Sequence, residues 1–300
     1  MVTWRRYAVA GAVMAAVLAQ GPGSAGAAGE WERVGEGIVS GVSGASFLPG
    51  GDLLVVHDNK RGGEKRVSAV RWTGEGPRSD ILTWEGPLPV DLESLSAVPG
   101  RAGEYAALES SGHGYHFAVA DGTARVLREF TVPGVVSGDN YEGFALVGLR
   151  GGLTAVWAHR GQDQDPAVVH AARLDWPTLV FGPADTAPLR VPYPVEGVRH
   201  VSDIAVSGTG RITVTSASDA GDDGPFDSAV YDAGTVRPAP PLWPGAGPVL
   251  ELRTAPRELA RYPGHKIEAL GCPQGPGAGV LGTDDENQGG SVRTEPLCPR

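Results

Sequence analysis

Asp139-Asn140-Tyr141-Glu142-Gly143-Phe144-Ala145-Leu146 decides how this chain is read, because related phrases recur along it. Asp91-Leu92-Glu93-Ser94-Leu95-Ser96 and Lys266-Ile267-Glu268-Ala269-Leu270-Gly271 are clear copies. Gly41-Val42-Ser43-Gly44-Ala45-Ser46 and His200-Val201-Ser202-Asp203-Ile204-Ala205 are weaker ones. Aligned on Ser43, Glu93, Glu142, Ser202 and Glu268, the copies fall roughly 50 to 65 residues apart, the spacing of propeller blades.

The pattern after each phrase also repeats. The phrase leads into an apolar strand, a turn leads to a second strand with a polar end, and two more strands follow. In the first repeat Ala45 to Leu48 turns at Pro49-Gly50-Gly51, and Leu53-Leu54-Val55-Val56 ends at His57-Asp58-Asn59. Val67 to Trp72 and Asp80 to Trp84 supply the third and fourth strands. Short apolar runs bounded by Gly and Pro read as strands buried between stacked sheets. The fourth strand of the third repeat is either Leu179 to Phe181 or Leu189 to Val191. The fourth repeat has an acidic loop from Asp219 to Asp227, a Pro-rich excursion from Pro238 to Pro248, an outer strand at Val249 to Leu252 and a short helix at Arg257 to Arg261. The acidic loop reads as a solvated loop, because it lacks the spacing and terminal Glu of an EF-hand.

The fifth repeat lacks an outer strand, and Trp31 to Val39 offers a spare one ahead of the first phrase. Pairing the two closes the ring and leaves no open sheet edge. The expected fold is therefore an all-β propeller of five blades closed by the N-terminal strand. A sixth, degenerate blade between Asp175 and Pro248 is the alternative.

The start of the chain stands outside that pattern. Trp4-Arg5-Arg6, an apolar run from Tyr7 to Leu18 and small residues from Gly21 to Gly29 form the three parts of a secretory signal peptide. Residues 1–29 are expected to be a leader, with Arg5-Arg6 also fitting twin-arginine export, and residues 30–300 a single propeller domain. The mature protein is then secreted and monomeric, with no stable membrane insertion. Cys272 and Cys298 are the two cysteines of the chain, and export favours their pairing. A formal charge of −10 and no basic cluster in the mature chain exclude nucleic acid as a partner.

In a propeller the innermost strand of each blade lines the central channel. The phrases therefore present Ser43, Glu93, Glu142, Ser202 and Glu268 as one polar ring, and the second strands end in another at Asp58, Glu109, His159, Thr215 and Asp284. Three glutamates in a narrow channel repel one another. Raised pKa values, Lys or Arg partners, or a hard cation such as Ca²⁺ relieve this. The sequence leaves two readings open: a cation held by Glu93, Glu142, Glu268, Asp58 and Asp284, or glutamates that latch neighbouring blades through backbone N–H groups. His57, His159 and His200 lie near strand ends, and His159-Arg160 is the favoured candidate base and anion-holding pair.

The phrases at Ser40 to Ser46 with Asp58-Asn59, at Asp91 to Leu95 and at Asp139 to Ala145 resemble those of the exported "esterase-like activity of phytase" family. The resemblance extends over about residues 31 to 295. It implies a secreted propeller, hydrolysis of phosphate or carboxylic esters, and calcium by analogy with phytase-like propellers. Glu93, Glu142 and Glu268 match the family's acidic place, whereas Ser43 and Ser202 offer hydroxyls there. Two functions follow as expectations: a metal-assisted ester hydrolase, or a non-catalytic propeller that binds a small-molecule or cell-surface ligand.

Overall fold

A computed structural model describes residues 29–150, 152–238, 247–273 and 277–298. The expected leader, apart from Gly29, and most of the Pro-rich excursion lie outside the described residues.

The chain opens with β1 (Glu32–Gly35) and a 3-10 turn at Ile38–Ser40. Blade 1 is β2 (Gly44–Phe47), β3 (Leu53–Val56), β4 (Val67–Thr73) and β5 (Gly76–Ile81), in that spatial order. β6 (Thr83–Glu85) then leaves blade 1 and pairs in parallel with the outer strand of the next blade. Blade 2 is β7 (Leu92–Ala97), β8 (Glu104–Glu109), β9 (His113–Ala120) and β10 (Thr123–Thr131). Blade 3 is β11 (Tyr141–Leu149), β12 (Gly152–His159), β13 (Ala167–Asp175) and β14 (Val180–Leu189). Blade 4 is β15 (Val198–Val206), β16 (Arg211–Ser218), β17 (Asp227–Arg237) and β18 (Val249–Pro263). Blade 5 is β19 (Ile267–Gly271), β20 (Gly279–Thr283) and β21 (Gly290–Glu295), and β1 completes it by pairing antiparallel with β21.

The five-blade reading and its closure by the N-terminal strand hold. The described residues between Asp175 and Pro248 build parts of blades 3 and 4, and among them there is no sixth blade. Three local expectations change. Arg257 to Arg261 continue the long outer strand β18 rather than forming a helix, because pairing to β17 outweighs their helical propensity. The two candidates for the fourth strand of blade 3 are the ends of one strand, β14. Asp80 to Trp84 divides at Leu82, so that its second half serves blade 2.

The core is laid out as layers between blades. Leu54, Val56, Val67 and Ala69 pack toward Leu92, Tyr105 and Phe117 of blade 2. Leu53, Val55 and Val70 point from the other face of the same sheet toward Ala269, Val280 and Val292 of blade 5. A strand buried on both faces must be apolar at every position, which is why Leu53 to Val56 runs without alternation. Phe130, Tyr141, Phe144 and Trp157 fill the layer between blades 2 and 3. Cys272 and Cys298 form a disulfide that ties the end of β19 to the chain beyond β21. Closing this loop contributes about 3 kcal/mol by chain entropy.

Candidate functional site

Antiparallel pairing brings both expected polar rings to one mouth of the channel. The start of each inner strand lies beside the end of the second strand, as Leu92 opposite Glu109, Tyr141 opposite His159 and Ile267 opposite Thr283 demonstrate.

The repeated phrase proves to encode a β-bulge. Leu92 faces Glu109 and Ser94 faces Leu108, so Glu93 is the extra residue. Glu142 is extruded in the same way between Tyr141 and Gly143, and Glu268 between Ile267 and Ala269. A bulge leaves one residue out of the ladder and re-aims its side chain. The glycine after Glu142, like the one after Ser43 in blade 1, approaches the next inner strand. A Cβ on Gly143 would lie 2.6 Å from Ile204, and one on Gly44 would lie 2.8 Å from the backbone of Leu95. Blade 4 widens the bulge, since Arg199 pairs with Ala217 and Asp203 with Thr215. Arg199 thereby brings a cation into the glutamate ring.

Half of the mouth is neutralised by protein cations. Arg199 Nη1 lies 2.8 Å from Glu268 Oε1 and 3.3 Å from Glu142 Oε1, and its Nη2 lies 3.2 Å from Asp219 Oδ1. Arg160 Nη1 reaches Glu142 Oε1 at 3.1 Å. Lys266 Nζ lies 2.9 Å from Glu268 Oε1 and also contacts Glu286. Burial acts to lower the pKa values of Arg199 and Lys266, and the surrounding carboxylates overcome it, so both cations are held more firmly charged. Glu142 is still raised by burial against the pull of Arg199 and Arg160.

The other half is short of positive charge. Among the described residues no donor hydrogen-bonds the carboxylates of Asp58 or Glu93, and Asp284 accepts only the Glu286 backbone N–H at 3.2 Å. Burial first, then Glu268 and Asp91, push Asp58 up to about 6, with Lys60 and Lys266 opposing. Burial, then Glu142 and Glu268, hold Glu93 well above the usual carboxylate range. Burial, then Glu268 and Asp58, do the same for Asp284. Two further polar atoms at this mouth are fully buried without partners: Glu142 Oε2 and Ser43 Oγ. Lys60 stands beside this half, largely exposed, with Nζ 2.9 Å from Asp91 Oδ1.

A floor crosses the channel below the mouth. Asp203 Oδ2 accepts the Leu270 N–H of blade 5 at 2.7 Å, and its Oδ1 accepts Ile204 N–H at 2.7 Å and the Ser94 hydroxyl of blade 2 at 3.1 Å. Ser94 Oγ in turn accepts Phe144 N–H of blade 3 at 2.8 Å. The inner strands of blades 2, 4 and 5 thus meet at one carboxylate, blade 3 joins them through Ser94, and the mouth is a cup above them. The latch expected of the glutamates falls instead to Asp203, Ser94 and Ser202, whose hydroxyl donates to Ile267 O at 2.7 Å.

The remaining sequence candidates divide between the cup and the blades. Arg160 joins the cup. His159 faces away from it: its Nδ1 accepts Gly161 N–H at 3.2 Å, and its ring meets Tyr141 edge-on in the layer between blades 2 and 3. His57 is buried, with Nδ1 2.5 Å from Gly41 O and Nε2 3.0 Å from the Ser68 hydroxyl. Burial and Lys65 lower its pKa to about 3, so it is neutral. His200 Nε2 donates to Asp163 O at 3.0 Å. Glu109 accepts Val90 N–H and the Tyr115 hydroxyl, and the Thr215 hydroxyl lies 3.0 Å from Ser202 Oγ. Arg199 and Asp203 were missed in the sequence. Their only signal was charge within or just before a phrase that otherwise looked degenerate.

Hard carboxylate oxygens suit calcium. However, Glu142 Oε1 and Glu268 Oε1 are already committed to Arg and Lys. Among the described residues no three His, Cys, Asp or Glu groups are gathered so as to hold a metal ion. Of the five expected ligands, Glu142 and Glu268 are thus engaged by protein cations, while Asp58, Glu93 and Asp284 are not.

The raised carboxyls give a pH dependence. A carboxyl whose folded pKa lies above its unfolded value favours the folded state while protonated. That contribution is complete below about pH 4 and is lost for Asp58 as pH rises through about 6; the raised Glu93 carboxyl acts in the same direction. A double variant, Asp58→Asn with Glu93→Gln, is therefore expected to gain stability over the wild type steadily as pH rises from about 4 to about 7. Urea unfolding at each pH checks this, and a difference that stays flat with pH contradicts it.

No protein-family model matches the chain, and no curated protein matches it. Among solved structures, an auxiliary nutrient binding protein from Bacteroides ovatus is 13% identical, with a TM-score of 0.40 over 84% of this chain and 58% of that one. A glycoside hydrolase is 12% identical, with a TM-score of 0.48 over 87% of this chain and 61% of that one. The chain thus spans about three-fifths of the length of these neighbours. At such identity the likeness concerns the fold alone.

Proposed function

We propose that this protein is a non-catalytic binding propeller whose channel mouth receives a positively charged group of its ligand. The observation that carries this reading is the division of the cup. Glu142 and Glu268 are neutralised by Arg160, Arg199 and Lys266, while the half-buried Asp58 and the buried Glu93 and Asp284, whose charges act on one another, have no hydrogen-bonded cation. A ligand cation supplies the missing charge and pulls the raised carboxyls back to their ionised form.

The hydrolase reading, with its resemblance to phytase-like propellers, asks for a general base and a cation-binding centre. His159 is turned into a blade interface and Arg160 is engaged by Glu142. A disulfide accords with an exported protein, and no described helix is long and apolar enough to cross a membrane. Secretion after removal of residues 1–29 is part of the proposal.

The test is a thermal-melting series on the mature protein with arginine amide, spermidine or Ca²⁺, alongside p-nitrophenyl phosphate and p-nitrophenyl acetate turnover. The expected result is a melting temperature that rises with an organic cation, a rise that Glu93→Gln abolishes, and no ester turnover above a heat-denatured control. Ester turnover that requires Ca²⁺ and disappears in Glu93→Gln overturns the reading in favour of the hydrolase.

A further inference from the structure

Five lead-in segments carry the chain from one blade's outer edge across the mouth face to the next inner strand. Four of them are strewn with exposed aliphatic side chains. Among the described residues twelve large hydrophobics are exposed, and seven of these lie on lead-in segments: Ile38 and Val39, Leu88 and Val90, Val135 and Val136, and Val195. Val136 is 64% exposed and Val195 80%. Scattered hydrophobics are normal on a surface, but their concentration on one face around a polar centre marks an interaction surface.

The segments are anchored near the cup. Val39 O accepts the Asn59 side-chain amide at 3.0 Å, one residue from Asp58. Val90 N–H donates to Glu109 Oε1 at 2.7 Å, and Val90 immediately precedes Asp91, whose charge acts on both Asp58 and Glu93. Ser43 Oγ and Glu142 Oε2 are both fully buried and without hydrogen-bond partners, and the carboxylate oxygen lacks a donor. The face thus combines an aliphatic rim with an acidic, recessed centre.

We propose that the mouth face docks a polypeptide segment of a partner protein that inserts one arginine or lysine into the Asp58–Glu93–Asp284 half of the cup and lays aliphatic neighbours on the rim. This deepens the binding reading above and rests on it. A long side chain with an apolar stem and a cationic end fits the sequence of surfaces from rim to cup. Arginine is also the residue most often found as a central anchor of protein interfaces. Charge complementarity selects this occupant: a chain with net charge −10 and an acidic mouth repels anionic lipid and attracts a basic segment.

The experiment uses fluorescein-labelled heptapeptides with a central Arg and Leu or Val on both sides. Matched controls carry citrulline at the centre or Ser in the flanks, and arginine amide competes. Fluorescence anisotropy is read with the wild type, with Glu93→Gln, and with Val136→Ser combined with Val195→Ser. The expected result is measurable binding of the Arg peptide, weakened about tenfold or more by citrulline and by Glu93→Gln. The Ser-flanked peptide and the rim variant each lose severalfold on the same scale. Arginine amide that binds as tightly as the flanked peptide leaves the cup reading standing and overturns the docking surface. Absence of binding by both overturns the two together. Binding to phosphatidylcholine vesicles that the rim variant abolishes, with no binding of the Arg peptide, assigns the rim to lipid and overturns the proposal. Of the three substituted side chains, Val136 and Val195 lie at the surface and Glu93 in a repulsive cluster, and circular dichroism checks that each variant folds.

Discussion

Replacing Arg199 by Met is expected to lower the unfolding free energy by about 3–5 kcal/mol, the cost of leaving buried charges without their partner. Arg199 is 11% exposed and contacts Glu142, Glu268 and Asp219, which come from three different segments of the chain. Methionine fills much of the volume of Arg199, so the loss reports charge rather than a cavity. Adding Glu142→Gln to the variant is expected to recover part of the loss, because one uncompensated carboxylate is then removed. Lysine at position 199 retains the charge but not the fork that reaches Glu268 and Asp219 from two nitrogens, and is expected to fall between Met and wild type. Urea denaturation near neutral pH measures all three. A Met variant within about 1 kcal/mol of the wild type contradicts the view that this cation holds the mouth together.

Asp203→Ala is the second large effect, expected at about 3–5 kcal/mol, from three buried donors left unpaired at about 1–3 kcal/mol each without full additivity. The donors are Leu270 N–H, Ile204 N–H and the Ser94 hydroxyl, from blades 5, 4 and 2. Burial pushes the Asp203 carboxyl well above the usual carboxylate range, opposed by those three donors. Asparagine presents one acceptor oxygen and no charge, so Asp203→Asn is expected to cost less than Ala. A double-mutant cycle with Ser94→Ala isolates the bond across the channel, expected to be worth about 1–2 kcal/mol because one partner is a buried carboxylate. An Asp203→Ala variant that melts as the wild type does would mean that the channel floor does not bind the blades together.

The architecture was legible because it rests on periodicity. Apolar runs such as Leu53 to Val56 are continuous because both faces of a blade are covered, and the missing outer strand was matched by a spare one at Glu32–Gly35. The glutamates were legible as a set for the same reason: one bulge recurs at Glu93, Glu142 and Glu268. What pairing decides was not legible. Arg257 to Arg261 carry helix-favouring residues and nevertheless extend β18, because β17 offers a ladder to pair with. The charge balance of the cup was likewise hidden. Arg199 and Glu268 are 69 residues apart in sequence and 2.8 Å apart in the fold, and no local pattern announces such a pair. His159 looked suited to chemistry from its place at a strand end, but strand alternation turns it to the face that carries Trp157, which packs between blades 2 and 3.

The most direct test of the cup is the proton count on binding. Arginine amide is titrated into the mature protein by calorimetry at about pH 6, the value to which burial pushes Asp58, in two buffers of different ionisation enthalpy. If a ligand cation completes the Asp58–Glu93–Asp284 half, the raised carboxyls ionise as it enters, and protons are released to the buffer. The expected result is an apparent enthalpy that differs between the buffers in the sense of proton release, and that becomes equal in the Asp58→Asn, Glu93→Gln variant. Binding with no proton release in the wild type, or no binding at all, would contradict the division of the mouth into a neutralised half and a waiting one.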